Sequence, residues 1–239
     1  MSLRQCLVGL DMSVRSPGLA IYCTCTGSCL HLFFLCSRVR DRHLYSTWGY
    51  DDARIRLVLS PLPYRPDTGT GMSDIAHYSL LCESIKQTIV HTCQNDARHI
   101  FMEDYAYGIT HSRSLSSLHE IGGIIKYLLQ PLGADMTLIS PTRLKKLFTG
   151  RGNASKQDMW AAFRKHGYPD ISAVFRPGSV SPMGGRKPPP SPVLDLVDAV
   201  ALIHHGILPG ACGYGTRVGE LLGAETIPHP PSGGQASYS

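Results

Sequence analysis

Short apolar runs open the chain. Residues 5–10 (QCLVGL) and GLAIYCTC each read as a buried strand, and LHLFFLCSRV follows the turn TGSC, which predicts a three-stranded antiparallel meander. Residues 41–72 lose this pattern. They are polar and broken by Gly, Pro and Asp, so they predict an extended loop holding one candidate strand, RIRLVLS. Helical spacing begins at about Ser73, a candidate N-cap, and runs through IAHYSLLCESIKQTIVHTC. RHIFMEDY is the next strand. Residues 114–130 form an amphipathic helix, in which the Gly122–Gly123 pair permits close packing while lowering helix propensity.

The second half of the chain continues the alternation. DMTLIS is a short strand, Pro141 opens a short helix (TRLKKLF) ended by TGRGN, and Ser155 caps the helix KQDMWAAFRKHG. Residues 169–192 hold seven prolines and no periodicity, which predicts a flexible insertion. The last strong helix spans 193–206, and residues beyond about Gly210 predict a loop or disordered tail. The expected organisation is one domain over residues 1–210, with insertions at about 41–72 and 169–192, then a tail at 211–239. No internal repeat is visible.

Two of the apolar strands end in an acid: Asp11 closes CLVGLD and Glu103 closes HIFMED. A third acidic site lies in LDLVDAVALIHH, where Asp195 and Asp198 are three residues apart on one helix face. Burying a carboxylate costs several kcal/mol unless something pairs with it. Acids at two strand ends and on one helix therefore call for a common partner, and a hard divalent cation, Mg²⁺ or Mn²⁺, is the simplest. Each has a structural alternative: Asp11 could cap a turn, and Asp195 could cap its helix, where Pro192 precedes it and the dipole favours an acid. Glu103 is followed by Asp104, and strand alternation sends the two to opposite faces. The apolar pattern alone leaves open which one points inward.

Composition narrows the partners. The 239 residues are 43% apolar, enough for one sizeable core, and no run of about 18 apolar residues suggests a membrane span. The net charge is +5. Between Arg143 and Lys187 there are ten Lys/Arg against two acids, so that segment carries +8 and the remainder is slightly acidic. Such a segment favours anionic partners. Four of the eight cysteines, Cys23, Cys25, Cys29 and Cys36, alternate with apolar residues in a strand-rich stretch. CTCTGSC lacks the paired CxxC elements of a zinc site, so buried thiols in a reducing compartment, such as a mitochondrion or a virus-infected cell, are the better reading. The start of the chain has no signal-peptide pattern.

The order β-β-β-α-β-α-β-α-α, with acids on the first strand, the fourth strand and the last helix, matches an α/β RNase H-like mixed sheet. At this point the chain resembles the RuvC family of Holliday junction resolvases, particularly its phage and organelle members. Four motifs carry the resemblance: VGLDMSVRSPGLAI, FMEDYAYG, SPTRLKKLFTGRGNASKQDM and DLVDAVALIHH. It implies a homodimeric endonuclease of DNA recombination and repair that cuts four-way DNA junctions with two Mg²⁺ ions per active site. Asp11, Glu103, Asp195 and Asp198 would hold the metal, and Glu103 is favoured over Asp104. Lys156 would lie near the scissile phosphate as a catalytic cation. Arg143, Lys145, Lys146 and Arg151 would bind the DNA backbone with it, and Tyr105 or Tyr107 would stack at the junction. His204 and His205 could reach the metal edge, although a helix-end packing role suits them better.

Two other classes compete. A nucleic-acid-binding assembly factor of an organellar ribonucleoprotein could keep this fold without turnover. An actin-like ATPase would need a second phosphate loop and a Gly-rich adenosine motif, and the sequence contains neither.

Overall fold

In a computed structural model, residues 6–13, 17–23, 29–36, 55–61, 71–94, 96–104, 113–168, 171 and 191–207 are described. They form a six-stranded sheet, and five helices cover it. The first hairpin joins β1 (Cys6–Asp11) to β2 (Gly18–Cys23), and β3 (Cys29–Cys36) completes the antiparallel meander. The candidate strand in the 41–72 loop is present as β4 (Ile55–Pro61), which pairs parallel with β3. On the other side of β1, β5 (Ala97–Glu103) and β6 (Asp135–Ile139) add in parallel. The order is β4-β3-β2-β1-β5-β6, so β1 is an inner strand flanked by β2 and β5. This is the expected RNase H-like mixed sheet, extended at one edge by β4.

Side-chain alternation divides the core in two. Val8, Leu10, Leu19, Ile21, Ile100 and Met102 face one side, under α1 (Gly71–Cys93) and α2 (Arg113–Leu129). Leu7, Ala20, Tyr22 and Phe101 face the other. There they meet α5 (Ser191–Ile207), flanked by α3 (Pro141–Thr149) and α4 (Lys156–Lys165).

Two helix starts differ from expectation. Helix α1 begins at Gly71, so Ser73 lies in its first turn and is not the N-cap, and Asp74 supplies the acid that the helix dipole favours there. Helix α5 begins at Ser191, four residues before Asp195, which rules out a cap role for that aspartate. The α3–α4 unit follows the sequence closely. Ser140 accepts from the Arg143 N–H, Gly150 ends α3 in the left-handed region (φ 84°), and Ser155 and Asp158 form a reciprocal capping box.

Of the Gly122–Gly123 pair, Gly122 is buried, while Gly123 is exposed and nothing lies within 4 Å of where its Cβ would be. No helix among the described residues is long and apolar enough to cross a membrane. Cys23 is a buried thiol, as are Cys6, Cys82 and Cys93. Cys25, the 169–192 insertion apart from Ile171 and its last two residues, and the tail lie outside the described residues.

Candidate active site

The same alternation that builds the core delivers the acids to one place. Leu7, Gly9 and Asp11 are on the α5 face of β1, and Phe101 and Glu103 are on the α5 face of β5. Glu103, not Asp104, is therefore the inward acid. Helix α5 crosses these strands unusually closely because two glycines admit its backbone. A Cβ on Gly9 would stand 2.1 Å from the Ala199 carbonyl oxygen, and one on Gly18 would stand 2.1 Å from that of Asp195. Gly18 is also the cross-strand partner of Asp11. The acid-bearing turn of α5 thus rests beside the end of β1.

All four carboxylates form a single cluster, and each is half-buried. Asp11 hydrogen-bonds to Glu103, and every one of the six pairs among Asp11, Glu103, Asp195 and Asp198 interacts electrostatically. Burial, and then the charges of Glu103, Asp198 and Asp195, hold the Asp11 carboxyl well above the usual carboxylate range. Burial raises Glu103, against the opposing effects of its Asp11 hydrogen bond and Lys145. Asp198 is pushed up to about 7, by burial first and then by Glu103 and Asp195, while Lys156 and Lys145 pull it down. Carboxyl groups raised by burial and by neighbouring charge are ones that a positive charge brought among them would stabilise in the ionised form.

The donor set suits a hard divalent cation, being oxygen throughout with no thiol or imidazole. As the side chains stand, though, no group of three or more His, Cys, Asp or Glu among the described residues is disposed to hold a metal ion. Asp11 and Glu103 turn toward each other instead, sharing a hydrogen bond that a cation would replace.

This cluster makes stability depend on pH in an unusual direction. The unfolded chain loses the Asp198 proton near pH 4, whereas the folded chain keeps it to about pH 7. The stabilisation from holding that proton is complete below about pH 4 and is lost as the pH rises to 7. Buried His204, whose pKa is lowered, gains stability over the same range, so the loss of on the order of 3 kcal/mol is expected as the difference between the cation-free protein and its Asp198→Asn variant. Millimolar Mg²⁺ or Mn²⁺ should restore the thermal midpoint at pH 8. A wild-type midpoint that does not fall relative to that of Asp198→Asn between pH 5 and 8, or that ignores the cations, would contradict this cluster.

The basic segment divides into residues near the acids and residues away from them. Buried Leu144, Phe148, Met159 and Phe163 anchor α3 and α4 in the core on the α5 side. From there Lys145 acts on Glu103 and Asp198, and Lys156 acts on Asp198. Lys146 and Arg143 are exposed. Arg151, 64% exposed, forms an ion pair with Asp158 at 2.7 Å. The capping box also closes the start of α4: the Ser155 N–H donates to Asp158 Oδ2, and the Asp158 N–H to Ser155 Oγ. The box thus occupies the Ser155 and Asp158 N–H groups, and Lys156 is the first residue of the helix it caps. Tyr105 and Tyr107 lie outside the described residues.

His204 and His205 are core residues. The ring of His204 meets the Tyr168 hydroxyl at 3.2 Å and packs on His166, and its pKa falls to about 4 through burial and the His166 charge. His205 packs edge-on against Phe101, its Nδ1 buried with no hydrogen-bond partner. The glycine contacts went unnoticed in the sequence. The available signal was Gly9 inside an apolar strand, since strand glycines mark close backbone approach.

No protein-family model matches the sequence, and no curated protein matches it. Solved structures that it is similar to include RuvC and a mitochondrial Holliday junction resolvase. A RuvC structure from Thermus thermophilus aligns at 12% identity and TM-score 0.48, covering 84% of this chain and 94% of that one. A second, T. thermophilus RuvC in complex with Holliday junction substrate, aligns at 13% identity and TM-score 0.46, covering 83% and 92%. The yeast mitochondrial Holliday junction resolvase Ydc2 aligns at 12% identity and TM-score 0.47, covering 87% of this chain and 76% of its own.

Proposed function

We propose that the chain is a divalent-cation-dependent endonuclease that cuts four-way DNA junctions in recombination and repair. One observation carries this reading: four carboxylates from two strands and a helix meet in one cluster, with Lys145 and Lys156 beside it. The substrate class comes from the resemblance of the four sequence motifs to RuvC resolvases. Asp11, Glu103, Asp195 and Asp198 would hold two Mg²⁺ or Mn²⁺ ions. Such ions supply a Lewis acid and an acidified water for phosphodiester hydrolysis.

The chain's own residues do the rest. Asp11, on an inner strand beside β5, would hold the ions together with Glu103 and the aspartates of α5. Lys156 neutralises the scissile phosphate as its charge builds, and Lys145 offsets charge on Glu103 and Asp198. Exposed Arg143 and Lys146 and the partly paired Arg151 contact the flanking backbone. A scaffold without turnover is the second reading, for which the insertions at about 41–72 and 169–192 leave room.

Incubation with a synthetic four-way junction, with and without Mg²⁺, separates these readings. Cation-dependent cutting supports the nuclease; tight binding without cutting supports the scaffold. Lys156→Ala is expected to slow cleavage about 100-fold while changing junction affinity only slightly. Equal losses in both would reduce Lys156 to a phosphate anchor. Affinity should fall steeply with salt.

A homodimer belongs to the same proposal. A groove of about 620 Å³ between α1 and α2 is lined by Leu80, Gly123, Ile124 and Tyr127, and Leu80 and Tyr127 are 54% and 79% exposed. The small Gly123 would let a second copy approach closely. Tyr127→Glu should convert a dimer to a monomer in light scattering, and an unchanged mass would exclude this face as the interface.

A further inference from the structure

Three thiols meet at the end of the first hairpin farthest from the carboxylates. Cys6 begins β1 and Cys23 ends β2, so the two are direct cross-strand partners. Their Sγ atoms are 2.6 Å apart. Cys93, the last residue of α1, packs against both. All three are buried, at 1%, 3% and 0% exposure.

That sulfur separation falls well inside the roughly 3.5–4 Å spacing of non-bonded heavy atoms. It is also too short for two ligands of one zinc ion, whose thiolates stand about 3.8 Å apart when each Zn–S bond is about 2.3 Å. Directly opposed residues of an antiparallel pair have Cα atoms about 4.5–5.5 Å apart, within the span a disulfide bridges. Cys93 approaches from a helix and has no such register with either strand.

We propose that Cys6 and Cys23 are a modification site, closing to a disulfide on exposure to a hydroperoxide while Cys93 remains a thiol. One thiol, as its thiolate, takes an oxygen from hydrogen peroxide, becoming a sulfenic acid as the first water leaves. The second sulfur then displaces that oxygen as another water, forming the S–S bond. Two thiols lose two electrons and two protons, and the peroxide is reduced to two waters. The bond would fasten the open end of the hairpin that carries Asp11 at its other end, leaving the acid cluster in place.

Burial and the neighbouring thiols slow the reaction. Cys23 is raised to about 11, its hydrogen bond to Cys6 being the first cause. Cross-linking should accelerate about tenfold per pH unit between pH 7 and 9.

The test treats the full-length protein with hydrogen peroxide, blocks remaining thiols by alkylation under denaturing conditions, and maps cross-linked peptides by mass spectrometry. The expected result is a dominant Cys6–Cys23 link with Cys93 alkylated. The 17-residue separation should also raise the thermal midpoint by roughly 6–12 °C over the reduced protein. A dominant link from Cys23 to Cys29 or Cys93, or recovery of Cys6 and Cys23 as thiols or sulfinic acids, overturns the proposal. An unchanged midpoint with the Cys6–Cys23 bond formed would overturn its role as a fastener.

Discussion

Asp11→Asn is expected to reduce junction cleavage at least about a thousandfold while making the cation-free protein more stable. The two effects share a cause. Asp11 sits among three other carboxylates that raise its pKa, so an amide of the same shape removes repulsion and still offers Glu103 a hydrogen bond. The stability gain should be on the order of 1–3 kcal/mol in chelator at pH 8, read by thermal unfolding. Added Mg²⁺ should then stabilise the variant much less than wild type. A variant that is both less stable and fully active would remove Asp11 from the centre of the site.

The second large effect is expected at a residue with no side chain. In Gly18→Ala the new Cβ would meet the Asp195 carbonyl oxygen at 2.1 Å and its carbon at 2.5 Å. Both are backbone atoms, so no rotamer can relieve the clash and α5 itself must shift. Overpacking of this kind costs about 2–4 kcal/mol. A displacement near 1 Å in the helix that carries Asp195 and Asp198 should lower cleavage by about 100-fold in the molecules that remain folded. Gly123→Ala is the control. Its methyl would enter open space on a helix, and stability should stay level or rise by up to about 1 kcal/mol. Equal loss of stability in the two variants, each unfolded as a dilute monomer, would refute the close-packing argument.

Much of this architecture was legible because local rules and tertiary demands agree. Apolar alternation located β1, β2 and β3, and Pro141, the TGRGN turn and Ser155 marked α3 and α4 through local chemistry that depends on adjacent residues. The acids were legible too, because carboxylates at strand ends are anomalous in an apolar setting. What stayed hidden depends on contacts between distant segments. Nothing in the local pattern around Glu103 and Asp104 says which face α5 will cover, and the parity of Phe101 in the folded sheet decides it. Gly9 and Gly18 are ordinary glycines until α5 lies on them. The start of α1 was misplaced because Ser73 offers a plausible cap that the chain bypasses. The pairing of Cys6 with Cys23 follows from hairpin register, which the spacing of the two cysteines does not reveal.

Lys145 and Lys156 have a consequence beyond the phosphate role proposed for them. Both already offset part of the charge on Glu103 or Asp198, acting as built-in counterions. Any polyanion that draws these ammonium groups toward itself leaves the acids under-compensated and more attractive to divalent ions. Linkage makes the effect mutual: ions seated among the acids free the lysines for the polyanion by the same factor. The two ligands would then arrive cooperatively, and neither alone would saturate at the concentration sufficient for both together.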